Sequence, residues 1–152
     1  MTGSASLIGL FPSQHTSGDE CSRIANLSTY SNAVYVEEAG DVVGYELVVQ
    51  QNDGHSISAL LYVYEGVPNE DGISVSGQIS DKGLTMKGTW VLHLIEHPSG
   101  KEVVETQPIE VTGTLGSKRF NGTITISGNP ETVVLKRADH IWLCRNRTPP
   151  KS

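Results

Sequence analysis

The sequence predicts an all-β fold, a single-domain antiparallel up-and-down barrel of about eight strands, and three observations lead there. Val, Ile and Thr together account for 37 of the 152 residues against only 6 alanines, a balance that favours strand over helix. Glycine and serine contribute 16 residues each, and turn signals recur at short intervals from residue 39 onward. Where a run is long enough to test, apolar and polar residues alternate, giving the wet face and dry face of antiparallel sheet. The length is that of one domain.

Residues 1–32 are rich in Ser, Thr, Gly and Asn and carry no sustained period. They read as an irregular N-terminal arm with a short helical turn around Asp19–Asn26. Eight apolar or alternating runs follow, at 33–38, 42–51, 55–65, 72–79, 84–96, 101–115, 118–127 and 131–136. The fifth shows the pattern well, with Leu84, Met86, Gly88, Trp90, Leu92 and Leu94 on one face and Thr85, Lys87, Thr89, Val91 and His93 on the other. Pro108 interrupts the sixth run and cannot donate to a ladder, so a bulge or break is expected there. A ninth run, Ile141-Trp142-Leu143-Cys144, extends the last strand or plugs one end. The barrel is thus expected to occupy residues 33–144, with 145–152 as a flexible tail. Connections of two to five residues imply sequential hairpins. A meander of eight strands would leave two bare edges, and closure abolishes them. A two-sheet sandwich is the alternative, but it calls for longer connections.

The chain holds 11 Lys and Arg against 17 Asp and Glu, for a net charge of −6. Its basic clusters, such as Lys118-Arg119 and Lys136-Arg137, are too short for a phosphate track, so no nucleic-acid partner is expected. No run approaches the length of a membrane-spanning helix. The two cysteines, Cys21 and Cys144, sit near opposite ends and form no CxxC motif. They are either free thiols of a cytosolic protein or a disulfide tying the arm to the last strand. The disulfide is the reading taken here, since both lie beside the closing seam and neither has another partner. It goes with an oxidising compartment, periplasmic or extracellular.

His93-Leu94-Ile95-Glu96-His97 spells the inverted zinc-protease motif, which works only on a helix, where residues four apart share a face. On a strand the two histidines stand about 13 Å apart, too far for one zinc ion. No metal or cofactor is expected. Gly88-Thr89-Trp90 resembles the short Gly-x-Trp word that lipocalins and avidins carry on their first strand. Here it falls on the fifth run, and Trp90 reads as core. No Gly-x-Ser-x-Gly elbow is present.

The second hairpin carries the candidate site. A two-residue Asp53-Gly54 turn places Tyr45 across from Tyr62, and Val43 across from Tyr64. Tyr45, Tyr62 and Tyr64 then share one face, and Trp90 adds a fourth ring. The other face offers Glu46 and Glu65. A slip of one residue exchanges these partners. Four aromatic rings on one wall suit a small apolar ligand held inside the barrel. Two further readings stay open: an interaction or inhibitor module working through its loops, and a barrel enzyme using Glu46 or Glu65 as a base of raised pKa.

Four stretches, Gly40-Asp41-Val42-Val43-Gly44-Tyr45-Glu46-Leu47, Leu60 to Gly66, Ser80-Asp81-Lys82-Gly83-Leu84 and Leu135-Lys136-Arg137, resemble a group of uncharacterised bacterial exported proteins. Those proteins look like small barrels of the avidin and lipocalin type. The resemblance implies a barrel and export; it names no ligand and no catalytic residue.

Overall fold

In the computed structural model, which describes residues 18–66 and 71–145, eleven elements follow one another along the chain. They are α1 (Gly18–Ile24), β1 (Ser28–Ser31), β2 (Val34–Val36), β3 (Asp41–Asn52), β4 (Ser56–Gly66), β5 (Ile73–Ser80), β6 (Gly83–Glu96), β7 (Lys101–Leu115), β8 (Arg119–Ile126), β9 (Asn129–Ala138) and α2 (Trp142–Arg145). From β3 to β9 each strand pairs antiparallel with the next. β1 closes the ring by pairing with β9 on one side and β3 on the other. The result is a closed eight-stranded antiparallel up-and-down barrel with one extra strand, β2, which among the described residues pairs only with β3.

The closing strand is not the one the sequence points to. The run at 33–38 yields only the three-residue annex β2, while the eighth barrel strand, β1, comes from the segment expected to be irregular. Four residues reading Ser-Thr-Tyr-Ser are too short and polar to display a period. Tyr30 nevertheless anchors β1: its ring is buried inside the barrel, its hydroxyl donates to the Gly116 carbonyl at 2.9 Å, and the Arg137 guanidinium lies over it at 5.6 Å. The ninth run is also corrected. Residues 142–145 form a helical turn against the outer wall, so they neither extend the last strand nor plug an end. Arg145, the first residue of the expected tail, belongs to α2; the rest of the tail, from residue 146, and the arm before residue 18 lie outside the described residues.

Pro108 causes no break, and β7 runs through it. Pro108 is opposite Thr89 of β6, and its carbonyl accepts from Ser127 N–H on the β8 side. In a strand the N–H and C=O of one residue point the same way, so the missing donor also faces β8, whose pairing begins one residue later at Ile109. No ladder bond to β6 is lost.

The barrel is filled by its inward-facing alternation. Leu47 of β3, Ala59 and Leu61 of β4, Met86 of β6, Val111 of β7, Phe120 of β8 and Leu135 of β9 are wholly buried in one cluster. Gly113 and Gly122 face each other between β7 and β8. A Cβ on Gly122 would stand 2.1 Å from the Thr112 carbonyl oxygen, so only glycine lets these strands coil so closely. The outer wall of β6–β9 is polar, with Thr85, Thr112, Thr123 and Thr132 in register across four strands.

The outer wall of β3 and β4 is different. A second apolar cluster forms there from Val42, Val48, Tyr62 and Tyr64 of the barrel with Ile24 of α1 and Ile141 and Cys144 beside and within α2. The Cys21–Cys144 disulfide joins α1 to α2 across this cluster.

Candidate functional site

The second hairpin is slipped by one residue from the expected register. Tyr45 lies opposite Val63, and Glu46 opposite Tyr62. Asp53 is one cause. Its Oδ1 accepts from the N–H groups of both His55 (2.8 Å) and Ser56 (2.7 Å), while Asn52 Oδ1 accepts from Gly54 N–H (3.0 Å). This capture of backbone amides by Asx side chains widens the two-residue turn. Asn52 lies opposite Ile57, so the turn alone moves the register by two residues, and the bulge between Val49 and Gln51 takes one back; that odd residue is what changes the faces.

The slip separates the predicted tyrosines. Tyr45 faces inward with Leu47 and packs against the main core, as does Trp90 from β6. Tyr62 and Tyr64 face outward with Glu46, beneath the helical clasp. The four rings therefore do not share a wall. Glu65 is exposed, at the far end of β4.

Glu46 is the one wholly buried carboxylate among the described residues. Ser31 Oγ donates to its Oε2 at 2.7 Å, and the Tyr64 hydroxyl donates to its Oε1 at 2.7 Å. The Trp142 N–H donates to both oxygens, at 2.8 and 3.0 Å, and Arg145 Nη2 stands 3.9 Å away. Glu46 thus ties three elements, β1, β4 and α2, to β3. Burial pushes its carboxyl above the usual range, and these hydrogen bonds with the Arg145 charge pull it back part of the way. Burial first, and then the Glu46 charge, push the Tyr64 phenol up as well. A base of raised pKa is present, but it lies under α2, where a substrate would have to lift the clasp to reach it.

At the end of the barrel where β3 begins, the inner face carries Tyr45, whose hydroxyl donates to Glu131 Oε1 at 2.6 Å, and the half-buried Trp90. The side chains below them are buried, several of them wholly. Open polar depressions lie instead on the outer wall, one of about 740 Å³ bounded by Gln51, Ser58, Ser76 and Gln78.

The feature that sequence reasoning missed is a projecting ribbon. β6 has 14 residues and β7 has 15, whereas their outer neighbours β5 and β8 have 8 each. β5 pairs with β6 only as far as Gly88, and β8 with β7 only from Ile109. Beyond those points, among the described residues, β6 and β7 pair with each other alone, from Thr89–Pro108 to Glu96–Lys101. Val91, Leu94, Ile95, Val103 and Val104 are exposed there, Ile95 by 55% and Val104 by 57%. The unequal run lengths were the available signal. The histidine motif lies on this ribbon, with His93 Nδ1 2.7 Å from Glu102 Oε2 across the strands.

No protein-family model matches this chain, and no curated protein or solved structure does either. The barrel expected from the resemblance is present, and no family is attached to it.

Proposed function

We propose that this protein is an interaction module of an oxidising compartment, a rigid barrel that presents the β6–β7 ribbon to a protein partner. The observation that carries this reading is the ribbon itself: apolar residues on both faces, standing clear of the barrel on a two-stranded element that is marginal alone in water. The Cys21–Cys144 disulfide is compatible with a periplasmic or secreted location. A photo-reactive residue at Ile95 should form protein crosslinks in the cells that make the protein, and one at Thr112 on the polar wall should not. Equal labelling from both positions, or none from Ile95, overturns the reading.

A ligand-binding reading has one point of support, two inward-facing rings, Tyr45 and Trp90, each packed on the core at the ribbon end of the barrel. A small planar apolar molecule would sit on the rim between them rather than within the barrel, with Tyr62 and Tyr64 taking no part. Quenching of Trp90 fluorescence that is lost in Tyr45→Ala tests it.

A further inference from the structure

We infer that the β6 edge of the ribbon pairs with the same edge of a second copy of this chain, antiparallel about a two-fold axis at His93. The inference rests on the interaction reading above and names its partner.

The two edges of the ribbon differ. Along β7 the overhang carries Lys101, Glu102, Glu105 and Pro108, the residue types that keep sheet edges from pairing. Along β6 it reads Thr89-Trp90-Val91-Leu92-His93-Leu94-Ile95-Glu96, with no proline and no lysine and with its only acid at the last position. Among the described residues no strand pairs with this edge beyond Gly88.

The β6 segment is also complementary to itself. With the axis at His93, Val91 lies opposite Ile95 of the second copy, and Leu92 opposite Leu94. Residues directly opposite in an antiparallel pair point to the same side. One face of the joined sheet would then hold the Val91 and Ile95 pairs, and the other the Leu92 and Leu94 pairs. Moving the axis to Leu92 sets Val91 against His93, and moving it to Leu94 sets Leu92 against Glu96. Only the His93 register matches every apolar residue from 91 to 95 with another. β5 begins at Ile73, which the Val75–Gly88 register brings level with Trp90, so the paired segment from Val91 to Ile95 lies clear of β5. Two marginal two-stranded ribbons become one four-stranded sheet.

The axis supplies the test. Opposed residues in antiparallel strands have Cα atoms about 4.5–5.5 Å apart, within disulfide range. His93→Cys should therefore oxidise to a covalent dimer linked 93 to 93, with Cys21–Cys144 intact, and Val104→Cys on β7 should not. Sedimentation of the unmodified protein should show a monomer–dimer equilibrium in the micromolar range. Val91→Lys with Ile95→Lys should weaken it by more than about tenfold, because lysines then oppose lysines, without moving the thermal midpoint of the monomer. A protein that stays monomeric at high concentration, a dimer that survives the double lysine variant, or equal crosslinking at 93 and 104 overturns the inference. Monomeric protein whose Ile95 still crosslinks to other proteins in cells would overturn the second copy as partner and leave the interaction reading standing.

Discussion

Glu46 shows how one side chain can organise the outside of a barrel. Its neighbours Ser31, Tyr64 and Trp142 all donate to it, and in Glu46→Ala each would lose that acceptor, Tyr64 with its hydroxyl buried. That change should cost about 3 kcal/mol or more, read as a shift in urea midpoint. Tyr64→Phe removes one donor to a charged group and should cost about 1.5–3 kcal/mol. The pH dependence has a definite sign. The folded protein raises the Glu46 pKa above its ordinary value, so in the window between the two values the folded state holds more proton than the unfolded chain. Stability from this group is complete below the ordinary value and is lost as pH rises through the folded one. Glu46→Gln should flatten that slope, and an unchanged stability–pH profile in the variant would mean that another group titrates.

The elements show where sequence and structure part. Runs such as 84–96, 101–115 and 118–127 match β6, β7 and β8 within a few residues, because a half-buried strand writes its burial into alternation. The hairpin partners were not legible. Which residue faces Tyr45 depends on the width of the Asp53 turn and on the bulge between Val49 and Gln51 together, and their net difference of one residue sends Tyr62 and Tyr64 to the other side. β1 was hidden because its strand character comes from the two neighbours it joins, with only Tyr30 contributing to the interior. The ribbon was present as unequal run lengths, yet exposure is a property of the neighbouring strands that stop short. The Gly113–Gly122 contact carries a prediction at this scale. Gly122→Ala adds a methyl where β7 and β8 leave no room, and it should destabilise by about 2–3 kcal/mol. Denaturant unfolding checks it, and the same change at Gly54, whose Cβ would meet nothing within 4 Å, tests only the positive φ of a turn.

At the scale of the molecule, the barrel interior and the clasp are two bodies of apolar contact on opposite sides of the β3–β4 wall. The interior draws on all eight barrel strands, whereas the clasp rests on α1, α2 and the disulfide between them. That disulfide joins residues 123 apart in sequence, and cross-linking so long a loop should stabilise the fold by about 4–5 kcal/mol in the chain-entropy model. Reduction therefore acts at two levels. Global stability should fall by up to that amount, because the unfolded chain regains its freedom. Local stability should fall further at the clasp, because α1 and α2 are a seven-residue and a four-residue helix, too short to persist without tertiary contacts. Hydrogen exchange on the reduced protein should show the amides of Ala25 and Cys144, bonded within these turns, losing protection first. Those of β6–β8 along the paired barrel should keep theirs until the global transition. If every amide loses protection together, clasp and barrel are one cooperative unit and the disulfide acts through the unfolded state alone. If the clasp opens first, Glu46 and the Tyr62–Tyr64 face are the surfaces that reduction uncovers.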